Sequence, residues 1–212
     1  IVDGIHLGAF SGAPIDECYS HIHPISRREC IEKRREAFRY LTSKGYVVSS
    51  DEPIDCMIGE IDLVAQATYS LIPSMANGIS NGVSVPLFNL VYHDAVIMPW
   101  CMPFENVSWW GIPNTDSPYT HAFLNASPFG LSMPDEHRIK ALLPRLNKLC
   151  LLHKKLAFTP MTKHEFSENN PRIQRTYFED GSIIEVDFDS DRTDVISAPR
   201  SSSNIIFPMS VH

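Results

Sequence analysis

Val85-Pro86-Leu87-Phe88-Asn89-Leu90-Val91-Tyr92-His93-Asp94 is the stretch on which the fold reading turns. Seven of its ten residues are apolar, aromatic or proline, and no polar face runs through it. It reads as a strand buried on both sides that stops at His93 and Asp94. Strands buried on both faces belong mostly to parallel sheets covered by helices. In such folds, polar residues at the carboxyl ends of the strands are where chemistry usually sits. Two other segments repeat the pattern. Ile1-Val2 runs into Asp3, and Tyr46-Val47-Val48 runs through Ser49-Ser50 into Asp51 and Glu52. Three carboxylate-tipped β segments, about one βα unit apart, predict an α/β fold containing part of a barrel with an acidic site.

Between the first two segments lies a helix signal. Ser26-Arg27-Arg28-Glu29 has capping-box spacing, in which the Ser26 hydroxyl accepts from the Glu29 amide and Glu29 reaches back. The helix is expected to run to about Lys44, with Ile31, Phe38 and Leu41 inward and Gly45 as its stop. A second helix is expected from Asp135 to about Lys155, with Ile139, Leu142, Leu143, Leu146, Leu149 and Cys150 on one stripe. Pro144 should kink or break it. After that the apolar period changes to two. Arg172 to Phe178 and Ile183 to Phe188 flank Asp180-Gly181, the signature of a β-hairpin. The tail from Arg192, with Ser201-Ser202-Ser203, reads as extended or frayed.

Taken together, these signals predict the carboxyl-terminal part of a (β/α)₈ barrel over residues 1–155. A small antiparallel β domain with an extended tail follows over residues 156–212. A closed barrel needs roughly 200–250 residues by itself, and this chain has 212 in all. It also lacks an initiator methionine and a signal-peptide pattern, so it reads as the later portion of something longer.

Bulk composition removes several partners. The net charge is −7, from 18 basic and 25 acidic side chains, and no basic run reaches five residues. Neither nucleic acid nor an anionic membrane surface is therefore expected as the main partner. No stretch is apolar enough for a membrane span. The five cysteines (Cys18, Cys30, Cys56, Cys101 and Cys150) are scattered, as reduced thiols would be. No phosphate-binding glycine loop, Gly-x-Ser-x-Gly elbow or His-Glu-x-x-His motif occurs. Asp16-Glu17-Cys18-Tyr19 with His21 and His23 is a weak metal pattern and reads instead as a substrate-side loop, so no metal ligands are assigned and no cofactor is expected.

The remaining chemistry is that of carboxylates and rings. A barrel would gather Asp3 and Glu52 at its carboxyl face. One carboxylate could then attack an anomeric carbon while a protonated acid serves the leaving oxygen. Only one of the consecutive residues Asp51 and Glu52 should face a pocket, because strand side chains alternate. His93 and Asp94 could hold sugar hydroxyls or simply cap the strand. Six of the sixteen prolines fall between residues 99 and 134. Trp109, Trp110 and Tyr119 in that span could stack on sugar faces, or cover the barrel edge as core aromatics.

The succession "VDGIHLGAF", "DECYSHIHPISRRE", "GYVVSSDEP", "VPLFNLVYHDAVIMPW" and "IQRTYFEDGSIIEVDF" resembles the carboxyl-terminal half of bacterial glycoside hydrolases. The families it resembles are the α-N-acetylgalactosaminidases and endo-α-N-acetylgalactosaminidases. That resemblance implies a retaining glycosidase on a barrel, with Asp3 as nucleophile and Glu52 as acid/base. His93, Asp94, Asp51, Trp109, Trp110 and Tyr119 become candidate substrate contacts, and carbohydrate the expected partner. The alternative is a non-catalytic carbohydrate-binding or structural remnant of such an enzyme.

Overall fold

Residues 87–92, expected as a doubly buried strand, form a helix instead. The computed structural model describes residues 2–52, 54–65, 85–101, 118–130 and 136–197. Pro86 sits at the start of this helix, where a missing N–H costs nothing. The rings of Phe88 and Tyr92, one turn apart, meet at 5.2 Å. Asn89 and His93, also one turn apart, are buried, whereas Leu87 and Val91 are exposed. The polar residues thus turn inward and two aliphatic ones outward, an order a strand could not produce. Short apolar runs are the case in which periodicity cannot separate strand from helix.

The first half of the chain builds a parallel sheet. β1 (Gly4–Leu7), α1 (Arg27–Ser43), β2 (Val47–Asp51) and β3 (Leu63–Ala65) follow one another, and the strand order is β1-β2-β3. The register pairs Gly4 with Val47 and Leu7 with Ser50, then Ser49 with Leu63 and Asp51 with Ala65. The capping box is present: Ser26 Oγ accepts from the Glu29 amide at 3.3 Å and Glu29 accepts from the Ser26 amide at 2.8 Å. Gly45, at φ +83°, follows the helix end. Phe38 of α1 is fully buried and meets the Phe10 ring at 5.4 Å.

The first strand begins after Asp3, not before it, so Asp3 stands at the amino end of β1.

The parallel pattern continues in short pieces. Ile97 bridges Leu63 in parallel. Further on, β4 (Trp100–Cys101) pairs in parallel with β5 (Phe129–Gly130). The helix numbered α2 is Leu87–Tyr92, and α3 spans Pro118–Leu124. α4 runs from Glu136 to Leu156 with Pro144 inside it. Leu149, Leu152 and Leu156 are its buried residues, whereas Leu143 and Cys150, expected inward, are exposed.

The second sheet is antiparallel, in the order β6 (Met161–Phe166), β7 (Ile173–Phe178), β8 (Ile183–Asp187), β9 (Arg192–Ser197). The hairpin is as expected, with Gly181 at φ +83° in its turn and Tyr177 paired with Ile183. Ile184 and Val186 are fully buried, while Glu185 meets Arg175 at 2.6 Å and Arg192 at 2.9 Å. Residues 192–197, expected to be extended or frayed, are extended and pair with β8. The division expected near residue 155 falls at the end of α4, and one buried cluster crosses it, from Val48 and Val64 through Phe123 and Leu152 to Ile184. Among the described residues, no helix is long and apolar enough to cross a membrane.

Candidate active site at the carboxyl end of the parallel strands

The carboxyl ends of β1 and β2 are tied together by side chains. Ser50 Oγ donates to Leu7 O at 2.6 Å and accepts from the Ser11 amide at 3.0 Å. Ser11 Oγ donates to Asp51 O at 2.5 Å. Ser11 and Ser50 are fully buried, and this network satisfies both of their hydroxyls. It also folds the loop after β1 across the end of β2. Gly12 is where the loop and the end of β2 touch: a Cβ there would lie 2.2 Å from Glu52 O. A residue larger than glycine would have to displace backbone.

Three polar side chains converge where that loop crosses. His6 lies opposite Ser49 in the strand register, and its Nδ1 is 2.9 Å from Ser49 Oγ. Its Nε2 is 3.4 Å from Asp51 Oδ2. The same oxygen accepts from the Ala9 amide at 3.1 Å. Glu52 follows at φ +46°, a conformation that costs a non-glycine residue free energy. That backbone turns Glu52 out of the strand, and its side chain is exposed. Ser49 and Asp51 share a strand face because they are two residues apart. The alternation in "VVSSDE" carried that signal; His6 was not singled out from sequence.

The register does not bring Asp3 to this place. Asp3 O accepts from the Val47 amide at 2.9 Å, so Asp3 lies beside the start of β2 and Glu52 just past its end. The intervening strand covers about 16–20 Å at ~3.3 Å per residue. Retaining pairs are roughly 5–5.5 Å apart and inverting pairs roughly 6.5–9.5 Å. Asp3 and Glu52 are therefore not gathered at one carboxyl face: β1 begins just after Asp3 instead of ending on it.

His93 is also removed from any sugar. It is 8% exposed, and its two nitrogens lie 2.9 Å from Thr159 O and 2.8 Å from Asn125 O. Burial pushes the imidazole below its ordinary range, and the contacts with Asn125 and Thr159 oppose that push. Asp94 is exposed in the turn after α2. Tyr119, 3% exposed, is a core residue with the Arg145 guanidinium 5.0 Å from its ring centre, which is the covering role and not the stacking one. Trp109 and Trp110 lie outside the described residues. Cys18 Sγ is 3.1 Å from His23 Nδ1, but among the described residues no group of three or more His, Cys, Asp or Glu could hold a metal.

No protein-family model matches the chain, and no curated protein matches it. Solved structures do. A quadruple mutant of the α-N-acetylgalactosaminidase NagBb from Bifidobacterium bifidum superposes with TM-score 0.77 at 30% identity, covering 91% of this chain and 30% of that one. The same enzyme in complex with GalNAc gives 0.75 at 28%, covering 93% and 32%. This chain is built like part of a glycoside hydrolase. It spans about a third of the length of the structures it matches, and over that length the resemblance seen in the sequence is upheld by the fold.

Proposed function

We propose that the chain forms part of the sugar site of a retaining α-glycosidase acting on α-linked N-acetylgalactosaminides. In this reading residues 1–155 are a segment of a (β/α)₈ barrel, and the antiparallel sheet from Met161 to Ser197 packs on it through one shared buried cluster. The run of parallel pairings from β1 to β5 supports the barrel segment. The observation that carries the function is the position of Asp51 and Glu52, at the carboxyl end of a strand in a parallel β1-α1-β2 unit. That end is where α/β folds bind ligands. Glu52 is the acid/base, donating a proton to the leaving oxygen and then activating water. Asp51 holds ring hydroxyls. The nucleophile that such a reaction needs is not Asp3 in this register.

That same separation favours a second reading, in which the chain binds carbohydrate without turning it over. Hydrolysis of an aryl α-N-acetylgalactosaminide by the full chain decides between them. Glu52→Gln is expected to lower kcat about 10²–10⁴-fold with little change in binding of N-acetylgalactosamine. Binding without turnover in the unsubstituted chain would select the second reading, and no binding at all would remove both.

A further inference from the structure

We infer that His6 is a positioning residue for Asp51, set in place by Ser49, and that the three form one sugar-hydroxyl contact. The inference rests on the sugar-site reading above. It begins with the strand register, which puts His6 on β1 opposite Ser49 on β2. Asp51 is two residues further along the same strand face. A single imidazole therefore reaches both, at 2.9 Å and 3.4 Å.

The chemistry of the two contacts fixes the ring's protons. A lone pair on Nε2 facing a carboxylate would be repelled, so Nε2 carries hydrogen. In the neutral ring Nδ1 is then the acceptor, and the Ser49 hydroxyl donates to it. Ser49 thus favours the tautomer with hydrogen on Nε2, the nitrogen that lies 3.4 Å from Asp51 Oδ2. On the carboxylate, Oδ2 takes both the His6 contact and the Ala9 amide at 3.1 Å. Oδ1 has no partner among the described residues.

One oxygen is anchored from β1 and its following turn, and the other is left to accept. The His6 side chain is 47% exposed and that of Asp51 18%, so a ligand can reach the pair. An anchored carboxylate with one free oxygen suits a ring hydroxyl of an N-acetylgalactosaminide. The anchor removes a rotation that binding would otherwise have to freeze.

The test is a double-mutant cycle on the full chain, with N-acetylgalactosamine as the probe and affinity as the readout. His6→Ala and Asp51→Asn should each weaken binding about tenfold or more. Together they should do no worse than Asp51→Asn alone, because His6 acts through Asp51. His6→Gln, which keeps a donor, or added imidazole should recover part of the loss in His6→Ala. Additive losses, or an unchanged affinity in His6→Ala, would overturn the inference. A second readout separates it from the glycosidase reading. The carboxyl ¹³C resonance of Asp51, without sugar, should move in His6→Ala and Ser49→Ala. If it moves but the unsubstituted chain binds no sugar, the sugar site and the contact proposed here both fall, and only the positioning survives. If sugar binds and the resonance does not move, the positioning alone falls.

Discussion

The two larger sheets among the described residues meet the same demands with different residues. In the antiparallel sheet, the left-handed backbone positions are occupied by Gly181 and Asp191, residue types that tolerate that conformation. Its wet face pairs opposite charges across strands, as Glu185 does with Arg175 and Arg192. At the carboxyl end of the parallel sheet, the left-handed positions fall to Ala9 and Glu52, which have a Cβ and no such tolerance. There the polar groups are partly anchored, and one oxygen of Asp51 has no partner among the described residues. One sheet is arranged for stability, whereas the other holds a strained, incompletely satisfied edge of the kind that functional sites carry.

The largest expected effect lies on the stable side of that contrast. Ile184 is fully buried in β8, so Ile184→Ala should cost about 2–5 kcal/mol of unfolding free energy in denaturant titration. Because the buried cluster is continuous from Val48 to Ile184, both halves should unfold in one transition. Separate transitions would instead divide the molecule near residue 155, as the sequence reading does.

A smaller effect follows from pH. His93 and His164 both have imidazoles pushed down by burial, opposed in His93 by the Asn125 and Thr159 carbonyls and in His164 by Gln174. A neutral imidazole can donate from only one nitrogen, so the two carbonyls at His93 compete for one proton. The unfolded chain binds protons near pH 6.5, where the folded chain still resists them. The unfolded state therefore holds more protons below that pH, and stability must fall as the solution is acidified. Stability from these groups is complete above pH ~6.5 and declines from there toward their lowered folded values. The melting temperature should drop between pH 7 and 5, and His93→Gln should flatten the drop. A flat profile in the unsubstituted chain would show that His93 is not buried neutral. Both histidines lie at or in the antiparallel sheet, so this sensitivity belongs to the stable half.

What the sequence disclosed follows from how local each signal is. The capping box at Ser26 and the Asp-Gly turn depend on residues within four positions of each other, and both formed as read. The alternation of Ile184, Val186 and Phe188 against Glu185 and Asp187 was equally plain. The segment 87–92 misled because its apolar content satisfies strand and helix alike, and only Pro86 and the inward pair Asn89 and His93 tip it to helix. Asp3 was misplaced because strand limits depend on the partner strand: Val47 bonds to Asp3 O, and nothing near Asp3 in sequence says so. His6 escaped notice for the same reason, since its partners Ser49 and Asp51 are more than forty residues away.

The smallest effect tests the contrast most directly. At Glu52 two substitutions remove the same carboxylate but treat the backbone differently. Ala keeps the Cβ that makes φ +46° unfavourable, whereas glycine adopts that region freely. Glycine also gives the unfolded chain more freedom, which costs roughly 0.5–1 kcal/mol. Release of a left-handed residue returns about 1–2 kcal/mol. Glu52→Gly should therefore exceed Glu52→Ala in stability by up to about 1 kcal/mol, read from denaturant midpoints at matched slopes. Any turnover should be lost equally in both. Equal midpoints would mean that Glu52 carries no backbone strain in solution, and the edge of the parallel sheet would then differ from the hairpin turn only in its polar groups. A higher midpoint for glycine would mean that the chain keeps a carboxylate there at a cost to its own stability, which a purely structural loop gives no reason to do.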